Sequence, residues 1–203
     1  EKNNLFSRFY FMGGGTSKFD SKYNLKRNNI KNIFQKIKYK NNIVGFHPSY
    51  NSYDKPEQFY IEKRNLENFF NIAVVEGRQH FLRFKVPTTW QIWEDNKMEI
   101  DSTLGYADYE GFRCGTGNEF SVFNILTRKK LELKERPLIV MDGTLFRYRG
   151  LSVEEGLKQM LKYKEKCKEY NMPFTILFHN SALFNFSLKG LKDAYDEILK
   201  NKI

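Results

Sequence analysis

Arg78-Gln-His-Phe-Leu-Arg-Phe84 sets an imidazole between two guanidinium groups inside an apolar, strand-like run. Arg is rarely buried without a partner, so Arg78 and Arg83 around His80 imply carboxylates or a bound anionic group nearby. The 203 residues contain only three histidines, His47, His80 and His179. Each closes an apolar run of β type, at 42–47, 75–80 and 174–179. In barrels and open α/β sheets, ligands and catalytic groups gather at the carboxyl ends of strands. The three histidines are therefore read as parts of one shared site, with Arg83 and Asp101 converging on it.

Outward from this stretch, strands alternate with helices. Residues 8–12 read as a buried strand running into Gly13-Gly-Gly-Thr-Ser17. That glycine run has neither the spacing of a phosphate loop nor that of a dinucleotide fingerprint, so it is taken as a strand-end loop lining a cleft. Ile30, Ile33, Phe34 and Ile37 recur at helical spacing over about 26–40. A helix over 55–70 starts with Pro56 in its first turn. A strand begins at 72–75 and breaks at Gly77 before the Arg/His run. Thr88 or Thr89 is expected to cap a short helix, and Asp101 follows another short strand. Residues 138–142 form a strand ending in the carboxylate of Asp142. Ser152 and Glu155 form a capping box for a helix to about Tyr170. A strand at 174–179 and a helix at about 187–200 close the chain. Alternating elements of this kind predict βα units around a mostly parallel sheet or barrel, in a single domain over 1–203.

The formal charge of +10 comes largely from lysines in polar, helix-like runs, which is the pattern of a solvated surface. No basic run interleaves with aromatics as a single-strand binder requires, so no nucleic-acid partner is expected. No stretch of about 18 apolar residues occurs, so no membrane span is expected. Cys114 and Cys167 lie far apart and form no C-x-x-C, which suits a reducing compartment and a cytoplasmic location. The oligomeric state is not legible.

Val140-Met-Asp-Gly-Thr-Leu-Phe146 has the outline of a phosphatase motif. Val140 stands where that chemistry needs an Asp nucleophile, so Asp142 is read instead as a strand-end orienting carboxylate. His, Asp and Arg at strand ends suit metal-assisted hydrolysis. A carboxylate takes a proton from water and a protonated His gives one to the leaving group. Arg113 is expected to clamp its loop by pairing with Asp108 or Glu110.

The ordered set 43–50 (Ile-Val-Gly-Phe-His-Pro-Ser-Tyr), 78–84, 101–106 (Asp-Ser-Thr-Leu-Gly-Tyr), 111–116 (Gly-Phe-Arg-Cys-Gly-Thr) and 177–179 (Leu-Phe-His) resembles the polysaccharide deacetylase, or NodB-homology, superfamily in its bacterial surface-polysaccharide branch. The resemblance spans about residues 8–180. It implies a distorted, incomplete (β/α) barrel and a hydrolase that removes N- or O-acetyl groups from a sugar of a polysaccharide or its precursor. It implies a divalent metal, zinc by habit of the family, with His47 and His80 as ligands, since the usual second His falls on Asn51. Arg78 or Arg83 resembles the arginine that orients the base, Asp101 the supporting carboxylate and His179 the general acid. Tyr50, Trp90 and Arg113 are the expected substrate contacts. The family's first motif, a strand ending in paired aspartates, has no counterpart before Leu5, so the N-terminal strand is expected to be missing. The alternative is a non-catalytic, glycan-binding relative.

Overall fold

A computed structural model describes residues 7–200. They pack as two compact units, one running to Thr103 with Phe120–Glu135 added, the other comprising Leu104–Glu119 and the chain from Arg136 onward.

The first unit holds β1 (Arg8–Phe11), α1 (Asn28–Tyr39), β2 (Ile43–Phe46), α2 (Pro56–Phe70), β3 (Glu76–Gly77), α3 (Thr88–Asp95), β4 (Ile100–Asp101), β5 (Phe120–Asn124) and β6 (Lys129–Glu135). The sheet order is β1-β2-β3-β4-β6-β5. All neighbours are parallel except the β5–β6 hairpin. Phe46, Gly77, Asp101 and Glu135 stand in one row across the sheet. The row lies at the carboxyl ends of its strands, so His47 and Arg78, one residue further on, emerge side by side. Gly77 makes this close spacing possible, because a Cβ there would lie 2.1 Å from the Phe46 carbonyl oxygen. The core beneath is Phe46, Phe59, Leu66, Trp93 and Leu133, all fully buried. Each such side chain contributes about 1.5–3 kcal/mol by leaving water. The helix over 55–70 begins at Pro56 as expected and ends on Asn71 in the left-handed conformation, φ 52°.

The second unit holds β7 (Val140–Met141), a π-helical turn (Gly143–Tyr148), α4 (Val153–Glu169), β8 (Ile176–Leu177) and α5 (Leu191–Leu199). β7 and β8 pair in parallel. Ile139, Val140, Leu145, Met160, Cys167 and Ile198 form its core. α4 starts on the expected capping box, with Ser152 Oγ accepting from Glu155 N and Glu155 accepting from Ser152 N. The Lys164 ammonium donates to the carbonyls of Ile198 and Lys200, satisfying the last turn of α5.

Several sequence expectations are corrected. The run 78–84 is not a strand. β3 ends at Gly77, inside the ladder rather than as a break, and a 3-10 turn follows at His80–Leu82. Phe81 and Leu82 are left-handed, with φ of 57° and 51°, which no strand allows. Neither Thr88 nor Thr89 caps α3; Pro87 precedes it and Thr89 Oγ1 donates to the Tyr53 carbonyl. The β5–β6 hairpin has no counterpart in the expectations. The architecture is mixed α/β with a mostly parallel sheet, and among the described residues neither sheet closes into a barrel. No helix among the described residues is long and apolar enough to cross a membrane.

Candidate functional site

In the first unit, His47 and His80 meet. Their rings stand at 87° with centroids 4.8 Å apart, and His80 Nδ1 lies 2.9 Å from His47 Nε2. The outer nitrogens end on backbone carbonyls: His47 Nδ1 is 2.7 Å from the Arg78 oxygen and His80 Nε2 is 2.8 Å from the Phe19 oxygen. A carbonyl only accepts, so both outer nitrogens carry protons. The two inner nitrogens then face each other across a hydrogen-bond distance, which holds one proton between them; a metal ion would need the rings to part first. Orientation of an imidazole by donation to a backbone carbonyl is the usual support for a metal-ligating His. A tetrahedral zinc site separates two imidazole nitrogens by about 3.3 Å, so the pair is a few tenths of an ångström tighter than chelation needs. The residues fit a metal as a two-ligand arm. Among the described residues no group of three or more His, Cys, Asp or Glu gathers to complete a cage.

The two arginines do different work. Arg78 is buried and donates through Nε to the Ser102 carbonyl at 2.6 Å and through Nη2 to Ser102 Oγ at 2.8 Å. It thereby fixes the backbone that carries the carbonyl holding His47. Arg83 donates to the Tyr50 carbonyl at 2.6 Å and to Asn51 Oδ1 at 3.2 Å. Its guanidinium stacks on both Tyr50 and Tyr53, 4.0 Å from each ring centroid. Asn51, which the sequence resemblance sets where a second His would fall, is thus turned to Arg83.

Asp101 is fully buried beside Glu135, its neighbour in register. Thr103 Oγ1 donates to Asp101 Oδ1, while Oδ2 meets no N–H or O–H donor. Burial pushes the Asp101 carboxyl up to about 7, against the opposing pull of Thr103 and Arg78. Two ionised carboxylates have no proton to share, so the contact between Asp101 and Glu135 is a hydrogen bond only when one of the two is protonated. Trp90 donates to Glu135 at 3.2 Å and is only 9% exposed, so most of its ring is packed into the core rather than offered to a ligand.

In the second unit, Asp142 is buried at the end of β7 and accepts from Gly143 N at 2.7 Å, His179 N at 2.8 Å and His179 Nδ1 at 2.7 Å. The His179 side chain is 54% exposed. This is a half-exposed imidazole oriented by a buried carboxylate. Asp142 was read from sequence as an orienting carboxylate but not assigned to the site; the signal was its place at a strand end. Arg113 pairs with neither expected carboxylate. It donates to the Gly105 carbonyl at 2.9 Å, while Glu110 is taken by Arg149. Phe19, whose carbonyl holds His80, had no signal in the sequence.

No protein-family model and no curated protein matches the chain. Among solved structures, a protein provisionally named a polysaccharide deacetylase, from Mycobacterium smegmatis, superposes over 98% of this chain with a TM-score of 0.70. The likeness is one of fold. Sequence identity is 12%, and the chain spans 65% of that protein's length.

Proposed function

We propose that the chain is a polysaccharide deacetylase-like hydrolase acting on N- or O-acetyl groups of sugars. The observation that carries this reading is the His47–His80 pair, each ring held by a backbone carbonyl with its other nitrogen aimed at a common point. Those two residues would hold a divalent metal, zinc first among candidates. When bound, the metal polarises an acetyl carbonyl and lowers the pKa of its water. His179, oriented by Asp142, is the general acid of this reading. Arg78 and Asp101 support the imidazoles' backbone from beneath, and Arg83 orders Tyr50. The fold likeness supports carrying this as one deacetylase-type domain over 1–203, of the distorted, incomplete (β/α) barrel type. The cytoplasmic location and the absence of a nucleic-acid partner stay within the proposal on composition alone. The test is acetate release from N- and O-acetylated saccharides by the full-length, zinc-supplemented protein. Release should fall to background with chelator and in His47→Ala and His179→Ala. No release from any acetylated saccharide would overturn the reading.

A second reading, a glycan-binding relative without catalysis, is favoured by Asn51, which is engaged by Arg83 where a further ligand would stand. It predicts saccharide binding that survives chelation, with no acetate released.

A further inference from the structure

The turn at Phe81–Leu82 is unusual because two consecutive residues, neither of them glycine, occupy the left-handed region. Such strain persists where the surroundings enforce it, and it clusters at functional sites. Its consequence is visible in the side chains. Leu82 is buried, whereas Phe81 is turned outward, 43% exposed, with its ring 4.8 Å from that of His80. Phe19, 41% exposed, lies 5.4 Å from Phe81 and holds His80 through its own carbonyl. Tyr50 braces both rings, at 4.4 Å and 5.4 Å. The guanidinium of Arg83 lies over Tyr50, so that ring serves as the prop. Phe19 and Phe81 are the exposed rings of the three, inclined at 60° to each other.

The surface is apolar on the rings and polar at their border, with the imidazoles on one side and the Lys18 ammonium 5.2 Å from the Phe19 centroid. A lipid chain would need a continuous apolar groove. A pyranose has one apolar C–H face and a rim of hydroxyls, which matches this alternation. We propose that Phe19 and Phe81 form a stacking shelf for one pyranose ring of an acetylated saccharide, beside the His47–His80 pair. The inference rests on the deacetylase reading above and names the residues that would hold its substrate.

The experiment is calorimetry of the zinc-loaded protein against a panel of N- and O-acetylated oligosaccharides. Phe19→Leu and Phe81→Leu keep an apolar side chain but remove the ring. Each should weaken saccharide binding about five- to tenfold, the range expected for one lost stacking contact. Phe19→Tyr and Phe81→Tyr should bind within about twofold of wild type, since the ring face is kept. Zinc binding by the Leu variants, measured in parallel, reports whether the imidazoles stay in place. If Phe81→Leu disturbs them, Phe19→Leu decides, because the carbonyl that holds His80 is backbone. Wild-type affinity in the Phe19→Leu/Phe81→Leu double variant would overturn the shelf and leave the deacetylase reading standing. No binding of any saccharide by the wild type would overturn both.

Discussion

His47 and His80 in the first unit are anchored to backbone carbonyls and to each other, whereas His179 in the second is anchored to a buried carboxylate. A carbonyl fixes which nitrogen carries the proton without adding charge. The inner nitrogens of the pair are thereby left to compete for a cation. A carboxylate adds a negative charge behind the ring, which suits an imidazole that gives and takes protons. One side-chain type thus stands in two different electrostatic settings, set by what lies behind it.

The largest expected effect breaks the carboxylate side of the comparison. Asp142→Ala leaves two backbone N–H groups and the His179 ring without their acceptor. It should cost about 3 kcal/mol in chemical denaturation, with Asp142→Asn costing less. No single side-chain change can do the same to the carbonyl-anchored pair.

The next tests the carboxyl beneath that pair. The folded-state pKa of Asp101 lies above its ordinary value, so between about pH 4 and pH 7 the folded state binds more protons than the unfolded one. Stability from this group is therefore present at low pH and lost as pH rises through that window. Asp101→Asn removes the titration. Relative to wild type, the variant should gain stability steadily as pH rises from about 4 to about 8. A pH-independent difference would contradict the raised Asp101 carboxyl.

Arg83→Lys keeps the charge but loses the planar stack on Tyr50 and Tyr53. It should lower stability by about 1 kcal/mol and loosen Tyr50. The smallest effect is in α4, where Ser152→Ala removes one bond of the capping box and should cost about 1 kcal/mol or less. It leaves both imidazole settings untouched and so calibrates the others.

Local rules were legible where the chain itself enforces them. Pro56 and the Ser152/Glu155 box announce their helices because caps are set by near neighbours. The positions of His47 and His179 after strands were legible for the same reason. The turn at 80–82 was not, because its left-handed residues are Phe and Leu, and the packing of Leu82 overrides their preference. The β5–β6 hairpin carried a readable signal in Lys129-Lys-Leu-Glu-Leu-Lys-Glu135, whose alternate residues are buried. The row joining Asp101 to Glu135 depends on that hairpin, so Glu135 stayed hidden with it. Trp90 and Arg113 looked like ligand contacts by motif, yet their polar groups are engaged inside their own units, Trp90 on Glu135 and Arg113 on the Gly105 carbonyl.

The central claim is that the inner nitrogens of His47 and His80 share one cation that zinc can replace. Zinc titration of the protein, followed by imidazole nitrogen NMR, tests it most directly. The account predicts binding that shifts His47 Nε2 and His80 Nδ1 while their outer nitrogens remain protonated, and that weakens about 100-fold or more in His80→Ala, since one of two protein ligands is gone. Zinc binding that leaves both rings unshifted, or that survives His80→Ala unchanged, would contradict it.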